Sequence, residues 1–426
     1  MADPQRVMVT LEPMDADAAA SWNLRTIRQA ARVLGAQPSW VGDVQSTARA
    51  QRVVRDMLER RGFPTETFHV PGSMPLVIAG NGPILITTFL DDPFPGAQQH
   101  DGSPPAMHDN IASAPGITRK AGVLAALGAL FGSNNGQMFT LAVEADRHAG
   151  SVAIERWLDR SGKRFVAGLC EAVDLPVPTP IIFPSAFGRM LVSITIERHS
   201  SIIEDTYGGV APDLGHLLAS VIATLKSSDA EVEVPGFYDT VLVPTSAEID
   251  ALDGVTQCVG TWLQSFSGAN GDRPADRHNT MALFFAPAVA VRSLSVNDNG
   301  PFLPSTAQAH IDIRLTPGQQ PAAVLRAVAE RVRTIAPHGQ VTALLSRPPV
   351  VGKLRDRVEP LAGVRIIALA PGSTPAGLLE ERGTPTLGYA VVGRDAPSSV
   401  ESVDLNRVLD GSSLLRSLAT QLMARR

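Results

Sequence analysis

The sequence predicts an α/β fold in which a first domain, built on a mainly parallel sheet sandwiched by helices, is interrupted by an inserted α+β domain. Three observations predict it. Helical and strand-like segments alternate from Thr26 to Leu158, prolines at 176, 178, 180 and 184 break that alternation, and the first pattern returns after Val364. At 426 residues, 44% hydrophobic and 19% charged, the chain has enough apolar material for two sizeable cores.

Taken in order, Thr26 to Leu34 and Ala48 to Arg61 carry apolar residues at helical spacing, and Pro83 to Phe89 is an apolar strand. Helix Arg119 to Phe131, strand Phe139 to Val143 and helix Val152 to Leu158 continue the alternation, as expected of a sheet covered on both faces. The proline stretch excludes helix and central strand, and Met190 to Glu197 then alternates like an antiparallel strand. A helix at Leu214 to Leu225, strand His310 to Leu315, helix Ala322 to Ile335 and strand Gln340 to Leu345 complete the insert. Strand Val364 to Ala370, a turn at Gly372, helix Ala376 to Arg382 and helix Leu405 to Met423 resume the first domain. The expected divisions are therefore 1–188, 189–347 and 348–426.

Composition removes several classes of function. The net charge is −5 and basic residues are scattered, so the surface that phosphate neutralisation requires is not expected and nucleic acid is not a partner. No run reaches the roughly 20 apolar residues of a membrane helix. Two cysteines, Cys170 and Cys258, make no disulfide framework, and Met1 to Trp22 contains Asp, Glu and Pro where a secretory signal is apolar; the expected setting is the cytoplasm. Cys170, flanked by apolar residues, reads as a buried thiol. His100, Asp101, His108 and Asp109 lie in a Pro/Gly-rich stretch without helical or strand spacing and read as a solvent loop. No Gly-x-Ser-x-Gly elbow supports a serine hydrolase.

Several segments together carry a resemblance. Thr88-Phe89-Leu90-Asp91-Asp92-Pro93-Phe94 follows an apolar strand, Thr118-Arg119-Lys120-Ala121-Gly122 opens a helix, and Glu144-Ala145-Asp146-Arg147-His148-Ala149-Gly150-Ser151 follows another strand. Further along come Glu197-Arg198-His199-Ser200, Pro235-Gly236-Phe237-Tyr238-Asp239, His310-Ile311-Asp312-Ile313-Arg314-Leu315, Pro371-Gly372-Ser373-Thr374-Pro375 and Ala396-Pro397-Ser398-Ser399-Val400-Glu401. Over Val53 to Leu422 the chain resembles the carnosinase, aminoacylase and glutamate carboxypeptidase family of dinuclear zinc peptidases, especially its dipeptidase branch.

The resemblance implies that the positions for metals and base have changed. Phe89 stands for a metal-binding His, Thr118 for the bridging Asp, Arg147 for the general base, His148 for a carboxylate ligand and Pro397 for the last imidazole; only Asp174 matches a ligand position. A guanidinium cannot accept a proton, and a catalytic zinc normally takes three protein ligands. The expectation is no metal and no cofactor. The insert, by the same resemblance, is a lid and dimerisation domain, so a homodimer is expected. There His199 sits where the family's substrate-carbonyl His stands, Arg314 where its carboxylate-gripping Arg stands, and Gly372, Ser373 and Thr374 where a carboxylate-binding turn stands. An Arg fork pairs bidentately with carboxylate, so the implied partner is a small amino-acid or peptide-like acid.

The candidate acid–base groups are His148, His199 and Asp91, with Arg147 stabilising negative charge, and Lys120, Thr118 and Asp174 join the substrate-binding candidates. Taken one at a time, each has a plainer reading. Lys120 reads as a helix-surface lysine, Thr118 as a cap for the helix after it, Arg314 as a polar position on a half-buried strand, and Asp91 as a helix-cap or turn acceptor, against a functional role as partner of His148 or of a ligand amine. The resulting expectation is a metal-independent enzyme acting on a carboxylate-bearing amide or amino-acid derivative, in specialised metabolism. The alternative is a non-catalytic ligand-binding or structural descendant. An ordinary zinc dipeptidase ranks last.

Overall fold

The computed structural model describes residues 22–424 apart from 93–101, 133–136, 173–178, 199–201, 228–230, 254, 260–276, 298–299, 355–356, 360, 362 and 392–400. It has a mixed α/β fold in two compact units: residues up to Pro180 with Arg357–Val364 and Ala390–Arg426, and Ile181–Asp356 with Arg365–Tyr389. The second unit is wider than the insert expected at 189–347. β14, which follows that insert in the chain, pairs with its long strand, as described below.

In unit 1, helices α1 (Leu24–Gly35) and α2 (Val44–Arg60) start where Asn23 and Asp43 cap them, Asn23 accepting from Thr26 N and Asp43 from Ser46 N. Strands β1 (Thr65–Phe68), β2 (Leu76–Gly80), β3 (Ile84–Phe89), β6 (Phe139–Glu144) and β7 (Ala167–Glu171) form a sheet in the order β1-β2-β6-β3-β7. The central β6-β3-β7 pairs are parallel and the β1-β2-β6 edge is antiparallel. β3, β6 and β7 are buried along their whole length, which is why they read as continuous apolar runs. A smaller sheet orders β16 (Glu401–Asp404), β5 (Ile111–Ala114) and β4 (Ala106–His108). His108 thus belongs to a strand, contrary to the loop expectation, although its side chain and that of Asp109 are exposed. Cys170 is buried on β7.

Helix α3 (Ile117–Phe131) is buried for nearly its whole length, packing against α1 and the final helix α10 (Leu405–Ala424), while α4 (Val152–Ser161) covers β6. α3 begins at Gly116, whose φ of +70° a side chain would strain and whose missing Cβ leaves room for the Asp92 carboxylate.

In unit 2, β8 (Ile181–Phe183) is a short buried strand fitted between Pro180 and Pro184, a correction to the expectation that the proline stretch holds no central strand. Proline at either end leaves the three intervening N–H groups free for pairing, and β8 runs parallel to β13 (Arg365–Ile366) and beside β15 (Thr386–Ala390). The long β9 (Ser185–Glu197) pairs antiparallel with β11 (Thr306–Leu315) and β12 (Gln340–Arg347), and β11 with β10 (Ala288–Val296). Helices α5 (Leu214–Ala223) and α8 (Pro321–Ile335) cover one face with a core of Val192, Ile194, Ile311, Ile313, Leu218 and Val328. Shorter helices α6 (Ser246–Asp250), α7 (Arg277–Phe285) and α9 (Ala376–Glu381) complete the described elements. β14 (Leu369–Ser373) pairs parallel with the start of β9, so the Gly372 turn expected from sequence is the irregular end of a strand.

Candidate functional site

The candidate site of unit 1 follows from strand register. β3 and β6 run parallel with Phe89 opposite Glu144, so the loops that leave them, Leu90–Asp92 and Ala145–Gly150, emerge side by side at the carboxyl ends of the strands. Leu90 N donates to Glu144 O at 2.9 Å, fastening the first loop to the second strand. The second loop is a single 3-10 turn, Arg147–Ala149, closed by Gly150 at φ +101° and by Ser151 at φ +57°. A non-glycine residue in the left-handed region is strained, and Ser151 is held there while its hydroxyl donates to Glu144 Oε1 at 3.0 Å.

This geometry brings His148 onto Asp91. The backbone N–H of His148 donates to Asp91 Oδ2 at 3.0 Å, and Nε2 of its ring lies 3.9 Å from the same oxygen. Asp91 is 1% exposed, whereas the His148 side chain is 33% exposed. Nε2 itself is buried, so the inward edge of the imidazole faces the carboxylate and its other edge accounts for the exposure.

Arg147 points the other way. Its guanidinium lies 3.7 Å from the Phe89 ring, on which Arg119 also stacks at 5.6 Å, and all three side chains are buried. A desolvated cation over an aromatic face gains up to about 2 kcal/mol. Burial, then the neighbouring Arg119, pushes the Arg147 guanidinium down to about 10.

Around this stack the carboxylates are tied to neutral donors. Glu171 accepts from the Thr88 hydroxyl and, at 3.4 Å, from Phe89 N; Glu401 accepts from the Thr118 hydroxyl and, at 3.3 Å, from Thr118 N. Thr118 therefore serves a carboxylate 283 residues away and is not the expected helix cap. Lys120 likewise is no surface lysine. It is 3% exposed, donates to Ser39 Oγ and at 3.4 Å to Leu90 O, and burial brings its ammonium down to about 8. Glu144 and Asp146 lie together in the same buried centre. Burial first, then Asp146 and Asp91, raises Glu144 well above the usual carboxylate range, and burial raises Asp146 to about 6. Six buried acids meet three buried cations here, so protons make up part of the balance.

Gly122 is the space-making residue of this centre: a Cβ there would overlap the Glu171 carboxylate, which Thr88 and Phe89 N hold in place. Gly122→Ala is expected to destabilise unit 1 by about 1 to 3 kcal/mol, measured by urea denaturation; an unchanged midpoint would show that Glu171 moves aside at no cost.

Whether the residues suit a dinuclear zinc centre is decided by their chemistry. A ring, a hydroxyl and two guanidiniums occupy the neighbourhood, and two of the acids already serve threonines. Among the described residues no three His, Cys, Asp or Glu side chains stand together as a ligand set. Asp174, His199 and Pro397 lie outside the described residues.

In unit 2, Arg314 and the Gly372 turn meet at the start of β9. Ser373 is opposite Phe187 in the β14–β9 pair, and the Arg314 guanidinium lies 4.4 Å from the Phe187 ring. That guanidinium is largely buried, which lowers it to about 10, and it donates to the carbonyls of Leu283, Ala282 and Ala286 at 3.2, 2.9 and 2.6 Å, closing the end of α7. Gly372 has φ +97°, and the Thr374 hydroxyl accepts from Ala376 N at 3.3 Å as α9 begins.

Glu171, Glu401 and Arg119 were not among the site residues expected from sequence. Glu171 ends an apolar strand, the position where α/β sheets place their sites, and that was the available signal. Glu401 closes the Ala396–Glu401 segment of the resemblance, and that was its available signal.

No family model and no curated protein matches this sequence. Solved structures do match in fold. The chain is similar to the M20 family metallo-carboxypeptidase Sso-CP2 from Sulfolobus solfataricus, with 18% identity, 94% of this chain and 98% of that chain covered, and a TM-score of 0.71. Human carnosine dipeptidase 1 gives 17% identity, 94% and 97% coverage and a TM-score of 0.69. The dipeptidase Dug1p from Saccharomyces cerevisiae gives 13% identity, 94% and 98% coverage and a TM-score of 0.69. The fold is therefore that of the M20 metallopeptidases.

Proposed function

We propose that this protein uses the M20 peptidase fold without dinuclear metal chemistry, as a metal-independent enzyme acting on a carboxylate-bearing amino-acid or peptide-like amide. The observation that carries this reading is the His148–Asp91 pair. A buried carboxylate accepts the backbone N–H of a partly exposed histidine, with the ring 3.9 Å away, at the carboxyl ends of parallel strands, in a centre where two of the other acids serve threonines. The imidazole of His148 is the group that takes a proton from an attacking water or returns one to a leaving amine. Arg147, buried on Phe89, supports the turn that carries His148.

No helix of the described residues is long and apolar enough to cross a membrane. The expected homodimer has a candidate surface in β10, an edge strand exposing Val291, Leu294 and Val296. Light scattering coupled to size exclusion should give twice the chain mass, and a Leu294→Lys variant should give the monomer.

A second reading, a non-catalytic ligand-binding protein, is favoured by one observation: the guanidiniums of Arg147 and Arg314 are both committed to internal contacts. Metal content by inductively coupled plasma mass spectrometry, before and after incubation with zinc, should stay far below one ion per chain. A panel of dipeptides and N-acyl amino acids should then be turned over in the presence of chelator. His148→Asn is expected to lower that rate at least 100-fold without changing the melting temperature, since the side chain is partly exposed. Stoichiometric zinc with chelator-sensitive turnover would restore the peptidase reading, and a folded, metal-free protein inert toward the whole panel would leave the non-catalytic one.

A further inference from the structure

At its antiparallel edge the large sheet of unit 1 carries a cleft that shares no residue with the His148 loop. Helix α2 packs on that edge and lines the cleft with Ala48, Gln51, Arg52 and Arg55, whose i, i+3, i+4, i+7 spacing is one helix face. The opposite wall is the β1–β2 pair: Thr67 stands opposite Val77 in the register, and His69 and Pro75 continue the two chains beyond it. The cleft holds about 240 Å³. An apolar cavity of about 150 Å³ takes up a benzene-sized molecule, so there is room here for a charged group on a body of a few carbons.

The chemistry of the walls is one-sided. Among the described residues no carboxylate lines the cleft. Arg52 and His69 are exposed and make no ion pair within the described residues, while Arg55 is already engaged, its Nε lying 3.7 Å from Glu59 and 4.0 Å from Asp56. The half-buried Thr67 hydroxyl adds a neutral donor. Gln51 is 4% exposed; its Nε2 donates to Pro75 O, and its Oε1 is buried with no hydrogen-bond partner among the described residues. An acceptor left in that state is costly, and a hydroxyl on a ligand would satisfy it.

We infer that this cleft binds a small hydroxylated oxyanion, a phosphate or carboxylate on a short carbon body. Arg52 and His69 meet the charged group, Thr67 donates to it, and Gln51 Oε1 accepts from the ligand's hydroxyl. An arginine fork matches the oxygens of either anion, and the apolar faces of Ala48, Pro75 and Val77 take the carbon body. The site does not involve His148 or Asp91 and stands or falls apart from the acid–base reading.

The test is titration calorimetry on the full chain at fixed low ionic strength, with glycerol 3-phosphate and glycerate as the two anions and glycerol as the uncharged control. At least one anion should bind where glycerol does not, and the one that binds identifies the charged group. Arg52→Met/His69→Gln should weaken binding by about tenfold or more and leave the ligand-free melting temperature unchanged, because both side chains are exposed and outside any described ion pair. Ala48→Leu keeps every charge in place and fills the cleft, so it should abolish binding, whereas His148→Asn should bind as the wild type does. Failure of both anions to bind above the glycerol control overturns the site, as does undiminished binding by either cleft variant. Loss of binding in His148→Asn overturns it too, since the anion would then occupy the other site.

Discussion

Phe89→Ala is expected to cost unit 1 about 4 to 5 kcal/mol, the largest single effect in the molecule. The ring is 1% exposed and among the largest fully buried side chains, so its removal leaves a cavity worth about 3 to 5 kcal/mol. It also removes the apolar face between two buried guanidiniums, Arg147 and Arg119, whose mutual repulsion is then relieved by nothing as favourable. Phe89→Leu separates the two contributions: it keeps most of the volume and loses the π face, and should cost about 2 kcal/mol. Three of the four tryptophans, Trp22, Trp40 and Trp157, belong to unit 1, so fluorescence-detected urea denaturation reports the right half of the chain. A leucine variant as stable as wild type would show that the guanidinium stack contributes nothing.

The second large effect depends on pH. Asp146 is raised in the folded protein from an ordinary 3.8 to about 6, so the native state holds its proton more tightly than the unfolded chain does. Its contribution to stability is complete below about pH 4 and is lost as pH rises through 6, a change of about 3 kcal/mol. Glu144 acts in the same direction. Lys120, lowered to about 8 from 10.5, works at the other end: from pH 8 upward the folded state sheds its proton first, and stability from this group recovers toward pH 10.5. Asp146→Asn, which mimics the protonated acid, should match wild type near pH 4 and exceed it by up to about 3 kcal/mol at pH 8. An asparagine variant that is less stable at every pH would mean that the carboxylate is ionised and useful.

Much of the fold was legible because it is written locally. α1, α3, α8 and α10 lie within a few residues of the ranges that 3.6-residue spacing indicates, and β3, β6 and β11 announce themselves as apolar or alternating runs. Where local reading failed, a tertiary constraint replaced it. β8 exists between two prolines because β13 supplies its partner, and Lys120 is buried because α3 is covered on all sides.

The candidate site was legible only in part. Asp91 and His148 were both named, and each sits at a strand end where an α/β sheet places chemistry. Their pairing was one of two readings of Asp91, and it took the register of β3 against β6 to choose it. Arg147 and Thr118 were read as substrate-facing or capping groups, whereas the structure gives them Phe89 and Glu401 as partners.

By itself the sequence determined where the long helices and the apolar or alternating strands lie, that two cores form, and that imidazole, guanidinium and ring side chains stand at unusual positions. Those properties depend on residues close in the chain, whose spacing is a direct consequence of backbone geometry. Which acid meets which donor was decided by tertiary structure alone. Thr88 and Glu171 are 83 residues apart and Thr118 and Glu401 283 apart, and no local pattern records a contact between them. A buried charge takes its energy from whatever folding places within a few ångströms, so its role becomes readable only once the sheet has brought the strand ends together.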